Sequence, residues 1–151
     1  TSETRYVEFG FVSLHSIVKT EVAPYDNPVG RVKIVGDDVT LTPNAGMPMA
    51  MAIHELATNA VKHGALSTPA GRLLVSWETA GAPDGRVLQI AWTESGGPTV
   101  DPEPKRGFGT SLIERALAHQ FDATVERVFA AAGLRCSISM PLTDDIGAPS
   151  R

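Results

Sequence analysis

His54-Glu55-Leu56-Ala57-Thr58-Asn59-Ala60-Val61-Lys62-His63-Gly64 reads as the second half of a helix that begins near Gly46. At ~100° of rotation per residue, positions 55, 59 and 62 share a stripe about 60° wide. That stripe carries an acid, an amide and a cation: Glu55, Asn59 and Lys62. The opposite face carries Ala50, Ile53, Ala57, Ala60, Val61 and Gly64, small and apolar enough to pack on a sheet. A plain solvated helix can show the same pattern, so the spacing alone leaves both readings open.

Working outward, residues 11 to 22 place Phe11, Leu14, Val18 and Val22, with Ile17 beside them, at helical spacing. Pro24 and Asn27-Pro28 end that helix. His15 on it reads as a packed or solvated histidine rather than a phosphoacceptor. Arg31 to Val35 alternates as a strand, Gly36-Asp37-Asp38 turns, and Val39-Thr40-Leu41 is a short returning strand. Beyond the central helix, Arg72 to Glu78 and Arg86 to Thr93 form two longer strands around a Gly81–Gly85 hairpin loop. Thr110 to Phe121 is a further helix, and Ala123 to Phe129 with Leu134 to Leu142 are closing strands. The tail from Asp144 is polar, carries Gly147 and Pro149, and is expected to fray. This order predicts an α+β two-layer sandwich: a mixed, mostly antiparallel sheet of about five or more strands with three main helices on one face. A doubly wound parallel sheet is disfavoured by the loop lengths.

The 151 residues are most simply one domain, 1–151, large enough to bury a core. The 42% hydrophobic and 20% charged shares are ordinary for a globular chain, and a net charge of −4 argues against nucleic-acid binding. The single cysteine, Cys136, excludes an intrachain disulfide and sits in a strand pattern, where core packing is its role. No apolar run approaches the ~20 residues of a membrane span, and the N-terminus lacks the pattern of a signal peptide. The expected location is the cytoplasm, with no membrane contact by this domain. Thr1 to Thr4 lead quickly into patterned sequence, as expected of a piece of a larger protein.

Two further stretches carry chemistry. Trp92-Thr93-Glu94-Ser95-Gly96-Gly97-Pro98 puts a carboxylate at a strand end before a Gly-Gly turn. A carboxylate there can accept from an exocyclic amine such as adenine N6, and glycines let a flat ring approach the backbone; an ordinary strand end looks the same. Residues 95 to 109 hold four glycines and three prolines, a loop of functional length. It ends in Lys105-Arg106-Gly107-Phe108-Gly109-Thr110, where free N–H groups at a helix start offer an anion site. Turns and caps explain many Gly-x-Gly pairs; this one is neither a Walker loop nor a Rossmann fingerprint. One ligand fits all three stretches. Glu94 meets its base, Gly107 and Gly109 its phosphates, and the Asn59 amide oxygen a Mg²⁺ ion, which needs only one or two protein ligands. Lys62, Lys105 and Arg106 offset phosphate charge, and Glu55 polarises or deprotonates the attacking group.

The box from His54 to Ser67 resembles the N box of the HWE family of bacterial sensor histidine kinases, named for a histidine there and a Trp-x-Glu in the next box. Trp92-Thr93-Glu94 with Gly96-Gly97-Pro98 is similar to that second signature, and Gly107-Phe108-Gly109-Thr110 to the glycine box. The resemblance covers nearly the whole chain, in order and with compatible spacing. It implies the GHKL-type ATPase fold shared with gyrase and mismatch-repair ATPases, with ATP under a flexible lid. It also implies Asn59 as the Mg²⁺ ligand, Glu55 as the residue assisting phosphoryl transfer, and Glu94 in the place of an adenine-binding aspartate. His63, Gly96, Gly97, Phe108 and Thr110 fall within the matching boxes and join the expected nucleotide site. His54, though the signature histidine, lies about 100° from Glu55 on the helix flank and ranks below it.

Nothing before residue 46 resembles the two-helix hairpin that carries the acceptor histidine in such kinases. The implied unit is the catalytic and ATP-binding domain alone. Its implied partners are the dimerisation domain of the parent kinase and, downstream, a response regulator. Two alternatives stand beside it: a serine-phosphorylating kinase of the same fold, and a nucleotide-dependent binding module without catalysis.

Overall fold

Alternation along the strands decides which face of the sheet is buried. Leu73, Val75 and Trp77, then Leu88, Ile90 and Trp92, then Leu134, Cys136, Ile138 and Met140 all point into the core. Their neighbours Leu74, Gln89, Ala91, Arg135 and Ser137 are exposed on the other face. A computed structural model of the chain describes residues 10–81, 86–98 and 112–149. Among them the order is β1 (Val12–Ser13), α1 (Leu14–Val22), β2 (Val32–Gly36), β3 (Val39–Leu41), α2 (Pro43–Lys62), β4 (Arg72–Ala80), β5 (Val87–Ser95), α3 (Leu112–Phe121), β6 (Thr124–Ala130), β7 (Gly133–Pro141) and β8 (Gly147–Pro149).

Five strands form the main sheet in the order β2-β4-β5-β7-β6, and β1-β3-β8 form a small second sheet. Among the described residues, the β2–β4 pair of the main sheet is parallel and β4–β5, β5–β7 and β6–β7 are antiparallel. Leu14, Ile17, Val18 and Val22 of α1, Met49, Ala52, Ile53, Leu56, Ala57 and Ala60 of α2, and Leu117 of α3 join the strand residues in one core cluster. Helix α2 lies in the middle, packed against both α1 and α3. Each fully buried Leu or Ile contributes about 1.5–3 kcal/mol by leaving water, which is why the three helices gather on one face. The α+β class and the layer arrangement are as the sequence implies.

Several boundaries differ. Helix α2 starts at Pro43, not near Gly46: the Thr42 hydroxyl accepts from Ala45 N at 3.4 Å as N-cap, and Pro43 takes the first turn, where its missing N–H costs nothing. The helix of residues 11 to 22 begins only at Leu14, because Val12–Ser13 pair with Thr40–Leu41 and the Ser13 hydroxyl caps the helix at Ser16 N. Strand β3 does not return along β2. It crosses to the second sheet, while β2 pairs in parallel with β4.

The tail does not fray among its described residues. Gly147–Pro149 pair with Val39–Leu41, and Ile146 is 3% exposed. The Thr42 hydroxyl donates to Asp145 O at 2.6 Å and its N–H to Ile146 O at 2.8 Å, so the tail is tied to the start of α2. Polar composition hid this, since backbone pairing needs no apolar side chain. His15 is half-buried, edge-on to Trp77 with ring centroids 6.0 Å apart, in keeping with a packing role. Cys136 is buried in β7, and burial pushes its thiol up to about 12. Among the described residues no helix is long and apolar enough to cross a membrane.

Candidate functional site

The polar stripe of α2 rises out of the core toward the C-terminal end of the helix. Glu55 and Asn59 are half-buried, and Lys62 and His63 are exposed. The apolar face is wider than the spacing suggested: Met49, Ala52 and Leu56 are buried too, because α1 and α3 flank α2 as well as the sheet beneath it.

Past Gly64 the chain turns through a short 3-10 segment, Ala65–Ser67, into a corner that ends at Gly71. Two charged side chains hold this corner. From β5, Glu94 occupies the next inward slot after Leu88, Ile90 and Trp92, and is only 3% exposed. Its Oε1 accepts from Ala65 N at 2.9 Å and its Oε2 from Trp92 Nε1 at 2.8 Å. On the other side, Arg31 donates through Nε to Gly71 O at 3.1 Å and through Nη2 to Thr68 O at 2.6 Å and Ala65 O at 3.2 Å. Gly96 and Gly97 close the packing. Gly96 has φ +71°, and a Cβ on Gly97 would meet Ala65 Cα at 2.6 Å. These glycines therefore let the β5 end lie against the corner after α2.

Burial raises the Glu94 carboxyl above its ordinary value, partly opposed by the Ala65 and Trp92 hydrogen bonds and by the charge of Arg127. A carboxylate has about four lone-pair sites. Two of these are taken by the protein donors Ala65 N–H and Trp92 Nε1–H.

Glu55 has a neighbour that the stripe did not reveal. Arg127 of β6 lies between Val125 and Phe129 on the inward face, and its side chain is 9% exposed. Its Nε donates to Glu114 Oε1 of α3 at 2.7 Å, Nη2 contacts the same oxygen, and Nη2 lies 3.4 Å from Glu55 Oε1. The sequence signal was a lone cation in an inward strand slot. Arg31 offered no such signal, since its bonds go to carbonyls. His54 is on the flank, 63% exposed, with Nδ1 2.7 Å from Glu21 Oε2 of α1. Beside it a groove of about 390 Å³ is lined by Glu21, Met47, Met51, His54, Glu55 and Ile113. A group entering this groove reaches the Glu55 carboxylate.

The structure thus joins two of the three stretches, the end of α2 and the end of β5, through the Glu94–Ala65 bond. Lys105, Arg106, Gly107, Phe108, Gly109 and Thr110 lie outside the described residues. Among the described residues no cluster of three or more His, Cys, Asp or Glu could hold a metal by itself. The Asn59 amide oxygen suits a hard cation that keeps most of its shell from water and phosphate.

No protein-family model matches the chain. Over 135 residues, 87% of this chain, it is 42% identical to blue-light-activated histidine kinase 1 of Erythrobacter litoralis. The chain spans 36% of that relative's length. Among solved structures it is similar to the histidine kinase domain of the Erythrobacter litoralis EL346 blue-light activated histidine kinase, with a TM-score of 0.65 at 17% identity, covering 89% of this chain and 63% of the other. The mycobacterial sensor histidine kinase MprB gives a TM-score of 0.60 at 13% identity, covering 93% of this chain and 99% of the other. At these identities the structural matches speak for the fold.

Proposed function

We propose that the chain is the catalytic domain of a sensor histidine kinase, as its likeness to blue-light-activated histidine kinase 1 supports, and that it binds ATP with Mg²⁺ and transfers the γ-phosphoryl group to a histidine on a separate dimerisation domain. The observation that carries this reading is the meeting of the α2 and β5 ends at Glu94 and Ala65. It brings the Trp92-Thr93-Glu94 signature at the end of β5 against the chain leaving α2, the helix that carries Glu55, Asn59 and Lys62.

In this reading Glu94 accepts from the adenine amine. Asn59 holds the metal, with Lys62, His63, Gly96 and Gly97 beside it. Lys105, Arg106, Gly107, Phe108, Gly109 and Thr110 hold the phosphates. Mg²⁺ supplies neutralisation of charge on the transferring phosphoryl group. Transfer forms an N–P bond at the acceptor imidazole as the bond to the leaving ADP oxygen breaks. Glu55 accepts the imidazole N–H proton or hydrogen-bonds to it, so positive charge does not build up on the ring. Positioning and electrostatics supply most of the rate. The domain works in the cytoplasm, and a response regulator takes the phosphoryl group onward.

The test is Glu55→Gln in the parent kinase. ATP affinity should hold within about twofold while phosphoryl transfer falls by about 10²-fold or more, the scale of general acid–base assistance. An unchanged transfer rate refutes the role of Glu55. Acid-labile phosphate on the acceptor supports histidine as the target; acid-stable phosphate points to serine.

A further inference from the structure

We propose that Arg127 is a positioning residue for Glu55, acting as a buried clamp between the helices that flank the site. The proposal rests on the catalytic reading of Glu55 above.

Three observations carry it. First, Arg127 occupies an inward slot on β6, between Val125 and Phe129, where burial of an unpaired guanidinium would be costly. Its retention there calls for partners, and it has two carboxylates from two different helices. Second, the bonds are unequal. Glu114 of α3, with a side chain 6% exposed, takes both Nε and Nη2 on one oxygen. Glu55 of α2, at 28%, takes only the outer nitrogen at 3.4 Å. Glu114 therefore anchors the guanidinium, and the anchored guanidinium fixes the direction of the Glu55 carboxylate. Third, Glu55 lines the open groove, so this direction is set at a surface open to an incoming acceptor.

The planar fork explains why arginine stands here. Nε and Nη2 together engage Glu114 while Nη2 also faces Glu55; a lysine ammonium is a single point on a flexible stem and cannot hold both geometries. Transfer rates are sensitive to such placement, since a misplacement of ~1 Å can cost about 10²-fold. Arg127 touches neither nucleotide nor acceptor in this account.

The test is a double-mutant cycle in the parent kinase with its own acceptor histidine, following ATP affinity and single-turnover transfer separately. Arg127→Lys should leave ATP affinity within about twofold and slow transfer by about tenfold, and Arg127→Ala by about 10²-fold. In a Glu55→Gln background neither substitution should slow transfer further, because the group that Arg127 positions is already disabled. If Arg127→Ala fails to fold, the Arg127→Lys arm of the cycle decides. An equal slowing in both backgrounds overturns the positioning role and leaves the catalytic reading of Glu55 standing. Normal transfer by Glu55→Gln alone overturns both.

Discussion

At the level of single residues, Glu94 is a carboxylate that the fold itself uses, beside the ligand role proposed for it. Read as a strand-end carboxylate, it is expected to face a nucleotide base. In the structure it is also the acceptor for Ala65 N–H and Trp92 Nε1–H, both inside the protein. Glu94→Ala leaves two buried donors without acceptors and should cost about 2–4 kcal/mol, read by denaturant unfolding without ligand. An unfolding midpoint equal to that of the parent chain would mean that the carboxylate serves only the nucleotide. The pH dependence has a definite sign. Because the folded carboxyl lies above its ordinary value of 4.5, its contribution is greatest below that pH and is lost as pH rises through the folded value. The stability gap between parent and variant should therefore narrow from acid toward neutral pH. The alternation Leu88, Ile90, Trp92, Glu94 already put this residue on the inward face. Its donors were not legible, because Ala65 lies 29 positions away in sequence.

Among the elements, the long and strongly periodic ones were legible and the short ones were not. Helix α2 and the β4–β5 and β6–β7 hairpins follow from local periodicity and turn residues. The second sheet joins Val12–Ser13, Val39–Leu41 and Gly147–Pro149, segments of two or three residues drawn from three regions of the chain. No local pattern encodes such pairings, and a polar tail with glycine and proline reads as loose. Ile146 discriminates between the two pictures. It is 3% exposed, next to a strand that pairs with Val39–Leu41. Ile146→Ala should lower unfolding free energy by about 2–4 kcal/mol, the usual range for emptying a buried aliphatic site. A frayed tail would show no change.

Over the whole molecule, the sequence carries two motifs, one of them on helix α2, and the fold brings them together where the end of β5, paired between β4 and β7, meets the chain leaving α2. The α2 stripe and the β5 signature were both legible as chemistry because their residues are close in sequence. The clamp of Arg127, Glu114 and Glu55 was not, because it draws one residue from each of three elements. The central claim is that this region binds ATP through a metal held at Asn59. Calorimetric titration of ATP into the domain, with and without Mg²⁺, for the parent chain and Asn59→Ala tests it most directly. The account predicts that the parent binds ATP in a Mg²⁺-dependent way and that Asn59→Ala abolishes this dependence while its unfolding midpoint stays put. Unchanged Mg²⁺-dependent affinity in Asn59→Ala would contradict it.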